Sequence, residues 1–469
     1  MSNVLRHSFV RQLHRQPVRG FTLIELLVAL TLGLLIALGL SRVFEATSKT
    51  NRVQEGMAEM QENGRYALTR INFDLRLASR QLMNASGYSA PTFPNTSLDI
   101  APNVFVASIT FPDQPSTPIG PPTNYPAVSA TRPSWPLSPV YFIRGNECSS
   151  STCTPNTVPS GLPAMGTSVG SRVQNSDVLT VRYLNSNGWS SYQGDAGGLE
   201  VTANCTGTGL NNVVWRKVTS TKGGGSYTSP ALNFQSNDLA MLTDASGNAE
   251  IFQVDVAGGA LTATLTPKNV NGGGKVFCMS QGEVKLFNFS ADFVTVNYWL
   301  QLDADSTVAG RVIPALMRWQ RDNRLNLTPP AQVELVQGVE TMDFLYGVQQ
   351  SNGNLQFLNA DAVASNSSPT NCPPPPGQFA RTVTGSPPAE TYETGCLWRA
   401  LASVEVHLLV DSVNNLYTLS DPEMAYRYRF NGSPQTPPAA TSTMSNGIQA
   451  GKMMRREFMT LVAVRNYNT

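Results

Sequence analysis

The sequence predicts an α+β protein: one long N-terminal helix, then an antiparallel β-sheet domain with large proline-rich loop insertions. Three observations carry this. Residues 21–40 are apolar apart from Glu25 and two threonines, and helical spacing continues well beyond them. From about residue 176, β-branched and aromatic runs replace that spacing. Proline (32) and glycine (37) are plentiful and charged residues make up only 14%, the mix of a loop-rich β protein and not of a helical bundle. At 469 residues the chain has material for one large or two ordinary domains.

Residues 1–20 are basic and polar. They hold Arg6, Arg11, Arg15 and Arg19 and no acid, so a net charge of +1 leaves the remainder at +1 − 4 = −3. That balance carries no global basic footprint for nucleic acid. Residues 21–40 are nearly long and apolar enough to span a bilayer, with arginines before them and none within. This asymmetry predicts a single pass with the N-terminus in the cytoplasm and the bulk across the membrane. No small-residue cleavage site follows Leu40, where an ordinary secretory signal would have one.

The helix is predicted to continue through 41–86. Met57, Met60, Ala67, Ile71, Leu75, Ala78 and Leu82 recur mostly at steps of three and four and mark one apolar face. The other face mixes Arg52, Glu55, Glu59, Glu62, Arg70 and Arg76, read as solvated. Gly33, Gly39 and Gly64 weaken such a helix and are candidate bends. A continuous helix over 21–86 would reach roughly 100 Å at 1.5 Å per residue.

Residues 87–175 are expected to form a loop insert hugging the surface, with twelve prolines between 91 and 139 and a short strand around 104–109. Residues 176–469 are the expected β-rich domain. Its strands are read at 177–183, 239–242, 250–254, 293–299, 315–319 and from Arg455 to Asn466; the turn 244–248 joins two of them as a hairpin. Met342, Phe344 and Tyr346 alternate with Thr341, Asp343 and Leu345, and Val404 to Val410 alternate likewise, as half-buried antiparallel strands do. The proline runs at 373–376 and 434–438 read as loop insertions.

Six cysteines, Cys148, Cys153, Cys205, Cys278, Cys372 and Cys396, lie beyond residue 140, an even number downstream of an export-like segment. They read as disulfides in an oxidising compartment, with fifteen pairings open in principle. Short loop closure favours Cys148–Cys153 and the insert context favours Cys372–Cys396, which leaves Cys205–Cys278. No CxxC occurs and histidines are too few for zinc, so no metal is expected.

Around the span, Arg19-Gly20-Phe21-Thr22-Leu23-Ile24-Glu25-Leu26 resembles the class III signal of type IV pilins and pseudopilins. The resemblance implies that residues 1–20 are a cleaved leader and that prepilin peptidase cuts after Gly20. It further implies that Phe21 becomes the N-methylated terminus and that Glu25 is the family glutamate that acts in assembly. A carboxylate inside a span otherwise costs roughly 2.5–3.5 kcal/mol at a helix centre. A charged amine at Phe21, one turn away or on a neighbouring subunit, would compensate it. The stretches 336–348, 402–410 and 464–466 are similar to strands of PilW-type minor pilins.

This resemblance implies a structural minor pilin, not an enzyme, that takes part in type IV pilus assembly or priming and needs no cofactor. Implied partners are prepilin peptidase, other minor pilins and the major pilin, the inner-membrane assembly platform, and membrane lipid. The implied location is the bacterial inner membrane, with the C-terminal domain periplasmic, and afterwards the pilus at the cell surface. A type II secretion pseudopilin, and a pilus-tip adhesin or DNA-uptake receptor, are the alternatives.

Catalytic patterns are weak. His7 and His14 lie in the expected leader, and His407 sits beside Glu405 on the more polar face of a strand, read as a satisfied strand histidine. Gly272-Gly273-Gly274-Lys275 lacks the spacing of a phosphate loop and reads as a flexible glycine turn. Asp303-Ala304-Asp305 lacks the glycine and glutamate of a calcium loop and reads as a β-turn with exposed acids. Trp135, Trp189 and Tyr192 would stack bases if exposed; core or loop packing is the expectation.

Overall fold

The computed structural model describes residues 20–78, 102–121, 127–155, 158–191, 199–220, 226–244, 248–278, 284–306, 308–324, 332–368, 370–372, 381–384, 389–392, 394–416, 419–429, 435–439 and 442–464. Outside them fall residues 1–19 of the expected leader, 79–86 of the expected helix, 87–101 of the expected insert, Tyr192, turn residues 245–247, prolines 373–376, Pro434 and residues 465–466. The chain divides into two compact units, 1–55 and 56–469. One helix, Leu23–Leu77, begins in the first and ends in the second.

In the first unit every large apolar side chain of the span is exposed, from Leu23 at 80% to Leu40 at 65%. The helix is long and apolar enough to cross a membrane, with a mean hydropathy of 2.6 in its most apolar stretch. No described residue of this unit covers that surface, which lipid or other helices would suit as cover.

In the second unit the helix buries a stripe of Gly56, Met60, Gly64, Ala67, Ile71, Asp74 and Leu75. Its apolar members join one core with two sheets. The six-stranded sheet runs in the order Val333–Gln337, Val312–Asp322, Phe293–Ala304, Val178–Leu184, Ile143–Cys148, Cys153–Thr154. The four-stranded sheet runs Leu355–Leu358, Val339–Gln349, Leu401–Asp411, Arg455–Ala463. Met342, Phe344, Tyr346, Val404, Val406, Leu408 and Val410 are all fully buried, as the alternation predicts. Asp343, Ser403, His407 and Leu409 on the other face are buried as well, so these strands are covered on both sides there and are not half-buried. Gly338 carries the chain from the first sheet to the second. Its φ is +82°, and a Cβ there would stand 2.7 Å from the Asp411 carboxylate, so the crossing needs glycine.

A nine-stranded sheet, built mainly from residues 201–288, has its own cores. Here the described part of the proline-rich stretch departs from the expected surface insert. Asn103–Val104 pairs in parallel with Glu250 and Ile251, and Phe105, Ile109, Phe111, Trp135 and Leu137 are buried. The prolines break regular spacing without lowering local hydrophobicity, so composition read as loop what packing makes core. Trp135 and Trp189 are buried at 1% and 3% exposure and offer no stacking face. The glycine turn is packed, not free: a Cβ on Gly272 would meet the Ser129–Ala130 backbone at 2.5 Å. Asp305 is not an exposed turn acid, since Arg311 pairs with it at 3.2 Å and its side chain is 3% exposed.

Disulfides join Cys148–Cys153, Cys205–Cys278 and Cys372–Cys396. Cys148 and Cys153 face each other across a two-strand hairpin, and Asp177 accepts the Cys148 N–H at 3.1 Å and the Phe344 N–H at 3.2 Å. One carboxylate thus holds this hairpin to the four-stranded sheet.

Candidate functional site

The candidate site is the start of the long helix. Gly20, Phe21 and Thr22 are non-helical, and the helix begins at Leu23. Phe21 is 86% exposed, and a Cβ on Gly20 would meet nothing within 4 Å. Among the described residues, therefore, nothing crowds the Gly20–Phe21 peptide bond, which precedes the first helical residue.

Thr22 and Glu25 close the first turn on each other. Glu25 Oε2 accepts from the Thr22 N–H at 3.2 Å and from its hydroxyl at 3.1 Å, and Thr22 Oγ1 accepts from the Glu25 N–H at 3.3 Å. This is a capping box, T-x-x-E, and it satisfies two N–H groups that the helix itself leaves unpaired. The carboxylate also sits where the helix dipole favours negative charge. Glu25 thus has a local role that the sequence reading missed, although Thr-Leu-Ile-Glu is its signature. Both side-chain bonds use Oε2; Oε1 makes none to a described residue.

Within the second unit the helix is held by a buried polar knot. Asp74, fully buried, accepts from Arg318 Nε at 2.8 Å, from the Tyr183 hydroxyl at 2.9 Å and from the Tyr298 hydroxyl. Burial raises both tyrosine pKa values, and the Asp74 charge raises them further, so both remain hydroxyl donors. Sequence reading placed no role on Asp74. The available signal was an acid inside the apolar stripe, between Ile71 and Ala78.

His407 is 1% exposed, with Nδ1 2.7 Å from Glu457 Oε1 and Nε2 3.1 Å from Glu405 Oε1. Glu457 also accepts the Arg429 N–H at 3.0 Å. The histidine fastens neighbouring strands and a covering loop, as expected of a strand histidine.

The six cysteines lie in the second unit and Gly20, Phe21 and Glu25 in the first, so the sequence-read residues do not converge on one pocket. They form two separate groups: Gly20, Phe21 and Glu25 at the start of the long helix, and three disulfides in the other unit.

Residues 297–466 match the family model of type IV pilus-assembly protein W, and residues 15–41 match that of the prokaryotic N-terminal methylation motif. The first match spans three strands of the six-stranded sheet in whole or part and all of the four-stranded sheet; the second contains Gly20, Phe21 and Glu25. No curated protein and no solved structure matches the chain.

Proposed function

From the premise that this chain is a PilW-type type IV pilin, we propose that it is a minor subunit that helps to prime pilus assembly. The observation that carries this reading is the exposed apolar helix that begins just after Gly20–Phe21, with Glu25 four residues on from Phe21. Prepilin peptidase cuts that bond, and Phe21 becomes a methylated, charged terminus. Residues 21–40 first lie in the inner membrane, with the disulfide-bearing domain in the periplasm. The assembly platform then moves the subunit out of lipid, and its helix packs against the major pilin and other minor pilins.

Hydrocarbon covers the apolar helix equally well in lipid and in a bundle of helices, so apolar surface alone does not favour the transfer. Charge supplies the bias. The Phe21 amine of an incoming subunit meets the Glu25 carboxylate of a neighbour already in the fibre, where each charge neutralises the other.

Two measurements test the reading. N-terminal sequencing of the membrane-extracted protein should find a methylated Phe21 start, and a start beyond Leu40 overturns the processing step. A strain lacking the gene should lose surface pili, and complementation should restore them. Normal pili together with failed protein secretion would assign the chain to a secretion system instead.

A further inference from the structure

The strand Arg455–Ala463 ends the four-stranded sheet, and no described strand pairs with its outer side. Its register fixes which backbone groups face outward. The Val464 N–H donates to the Ala402 carbonyl at 2.9 Å, and the Ser412 N–H to the Met454 carbonyl at 3.1 Å. Both bonds continue the ladder that pairs Val404 with Val462 and Leu408 with Phe458. Hydrogen-bonded and non-hydrogen-bonded pairs alternate along an antiparallel ladder. Arg456, Phe458, Thr460 and Val462 therefore bond inward to Leu401–Asp411. Glu457, Met459, Leu461 and Ala463 turn their N–H and C=O groups outward.

This edge has a wall beside it. The long helix and the strand bound a cleft of about 480 Å³, lined among others by Arg65, Leu68 and Thr69 from the helix and Arg456, Phe458 and Thr460 from the strand. Met459 and Leu461 are 58% and 56% exposed. The strand carries no lysine, proline or bulge along these residues, the usual guards of a free edge. The charge of the cleft has one sign. Arg65 and Arg456 are exposed, neither makes an ion pair with a described residue, and no described carboxylate lines the cleft. Glu457 points to the opposite face, against His407.

We propose that this edge receives an extended segment of another protein as a fifth strand, with an acidic side chain of that segment placed between Arg65 and Arg456. Outward N–H and C=O groups from Glu457 to Ala463 match a strand of ordinary length. Main-chain bonds supply affinity and the guanidinium pair selects the partner. A second copy of this chain is the poorer occupant, because the cleft-side positions of its own edge strand, Arg456, Phe458, Thr460 and Val462, offer no acid to stand between Arg65 and Arg456. The surface lies beyond the assembly role argued above and does not depend on it.

The test uses the full chain in detergent, extended after Thr469 by a flexible Gly/Ser linker and a strand alternating valine with glutamate. The tether holds that strand at roughly millimolar effective concentration. Hydrogen exchange at the Glu457, Met459 and Leu461 amides should slow by about tenfold or more relative to the unextended chain. The same extension with lysine in place of glutamate should leave exchange nearly unchanged. Met459→Pro removes an outward donor and leaves the inward ladder intact, so it should abolish the protection while thermal unfolding stays within a few degrees; Met459→Ala should retain it. No protection with the glutamate strand overturns the proposal, and so does equal protection by the lysine strand. Protection in the unextended chain that vanishes on dilution also overturns it, because a second copy then fills the edge.

Discussion

Arg318 Nε donates to Asp74 Oδ2 at 2.8 Å, and this bond fastens the second half of the long helix to the six-stranded sheet. Burial alone would lower the Arg318 pKa, but the bond to Asp74 and its charge hold it above the ordinary value. Arg70 stands 3.6 Å from the same carboxylate, and two tyrosine hydroxyls complete its shell. An apolar stripe alone lets a helix slide or rotate on its sheet; four polar partners on one carboxylate set a single register.

Removing that carboxylate leaves a buried arginine uncompensated. Asp74→Ala should destabilise the second unit by about 3–5 kcal/mol. Once Asp74 is gone, Arg318→Met should cost under about 1 kcal/mol more, because the two share one interaction. Urea unfolding of the single and double variants decides this, and additive losses would show that the pair is not coupled.

Gly64 is where the helix meets the Arg455–Ala463 strand. A Cβ there would stand 2.6 Å from Phe458 Cγ, near the root of the ring where rotation gives little relief. In an exposed helix, glycine to alanine gains up to about 1 kcal/mol. Here overpacking outweighs it, and Gly64→Ala should lose about 1–2 kcal/mol net. Adding Phe458→Leu should recover most of the loss. A more stable alanine variant would mean that the helix and strand separate without cost.

Glu250 gives the nine-stranded sheet a pH dependence. It is 3% exposed, its Oε2 has no partner among the described residues, and burial followed by the charge of Asp244 pushes its pKa from 4.5 up to about 8. Between those values the folded chain keeps a proton that the unfolded chain has released, so stability falls as pH rises. The group's contribution is complete below its unfolded pKa and lost through about pH 8, at up to roughly 1.4 kcal/mol per pH unit. Unfolding midpoints across that window should fall less steeply for Glu250→Gln than for the natural chain. Equal slopes would place the titration elsewhere.

Thr22 and Glu25 separate helix capping from charge pairing. Glu25→Gln keeps an acceptor for the Thr22 N–H and loses the charge, whereas Thr22→Val keeps the charge and loses the hydroxyl that caps the turn. If charge drives entry into the fibre, the glutamine variant should be cut and held in the membrane but depleted in sheared pili by two decades or more, at about 1.4 kcal/mol per decade for the 3–5 kcal/mol of an uncompensated charge. The valine variant should lose only about 1 kcal/mol of helix stability and still enter. Blots of membrane and sheared fractions compare the two, and depletion of valine alone would make the capping box the reason for Glu25.

By itself the sequence determined what depends on near neighbours. The apolar span, the buried stripe from Met60 to Ala78, the alternation in Val339–Gln349 and Leu401–Asp411, and the Gly20–Phe21–Glu25 spacing are local patterns imposed by helix and strand geometry. The Cys148–Cys153 pair is equally local, five residues apart. Only the tertiary structure decided which strands share a sheet, that residues 103–111 belong to a core, and that Asp74 meets Arg318 across 244 positions of chain. It alone left the outer side of Arg455–Ala463 without a neighbour among the described strands. Such pairings join segments whose local preferences are the same whichever partner they find. The choice is made by the total fit of side chains and charges once the chain has collapsed, and no window along the sequence contains that sum.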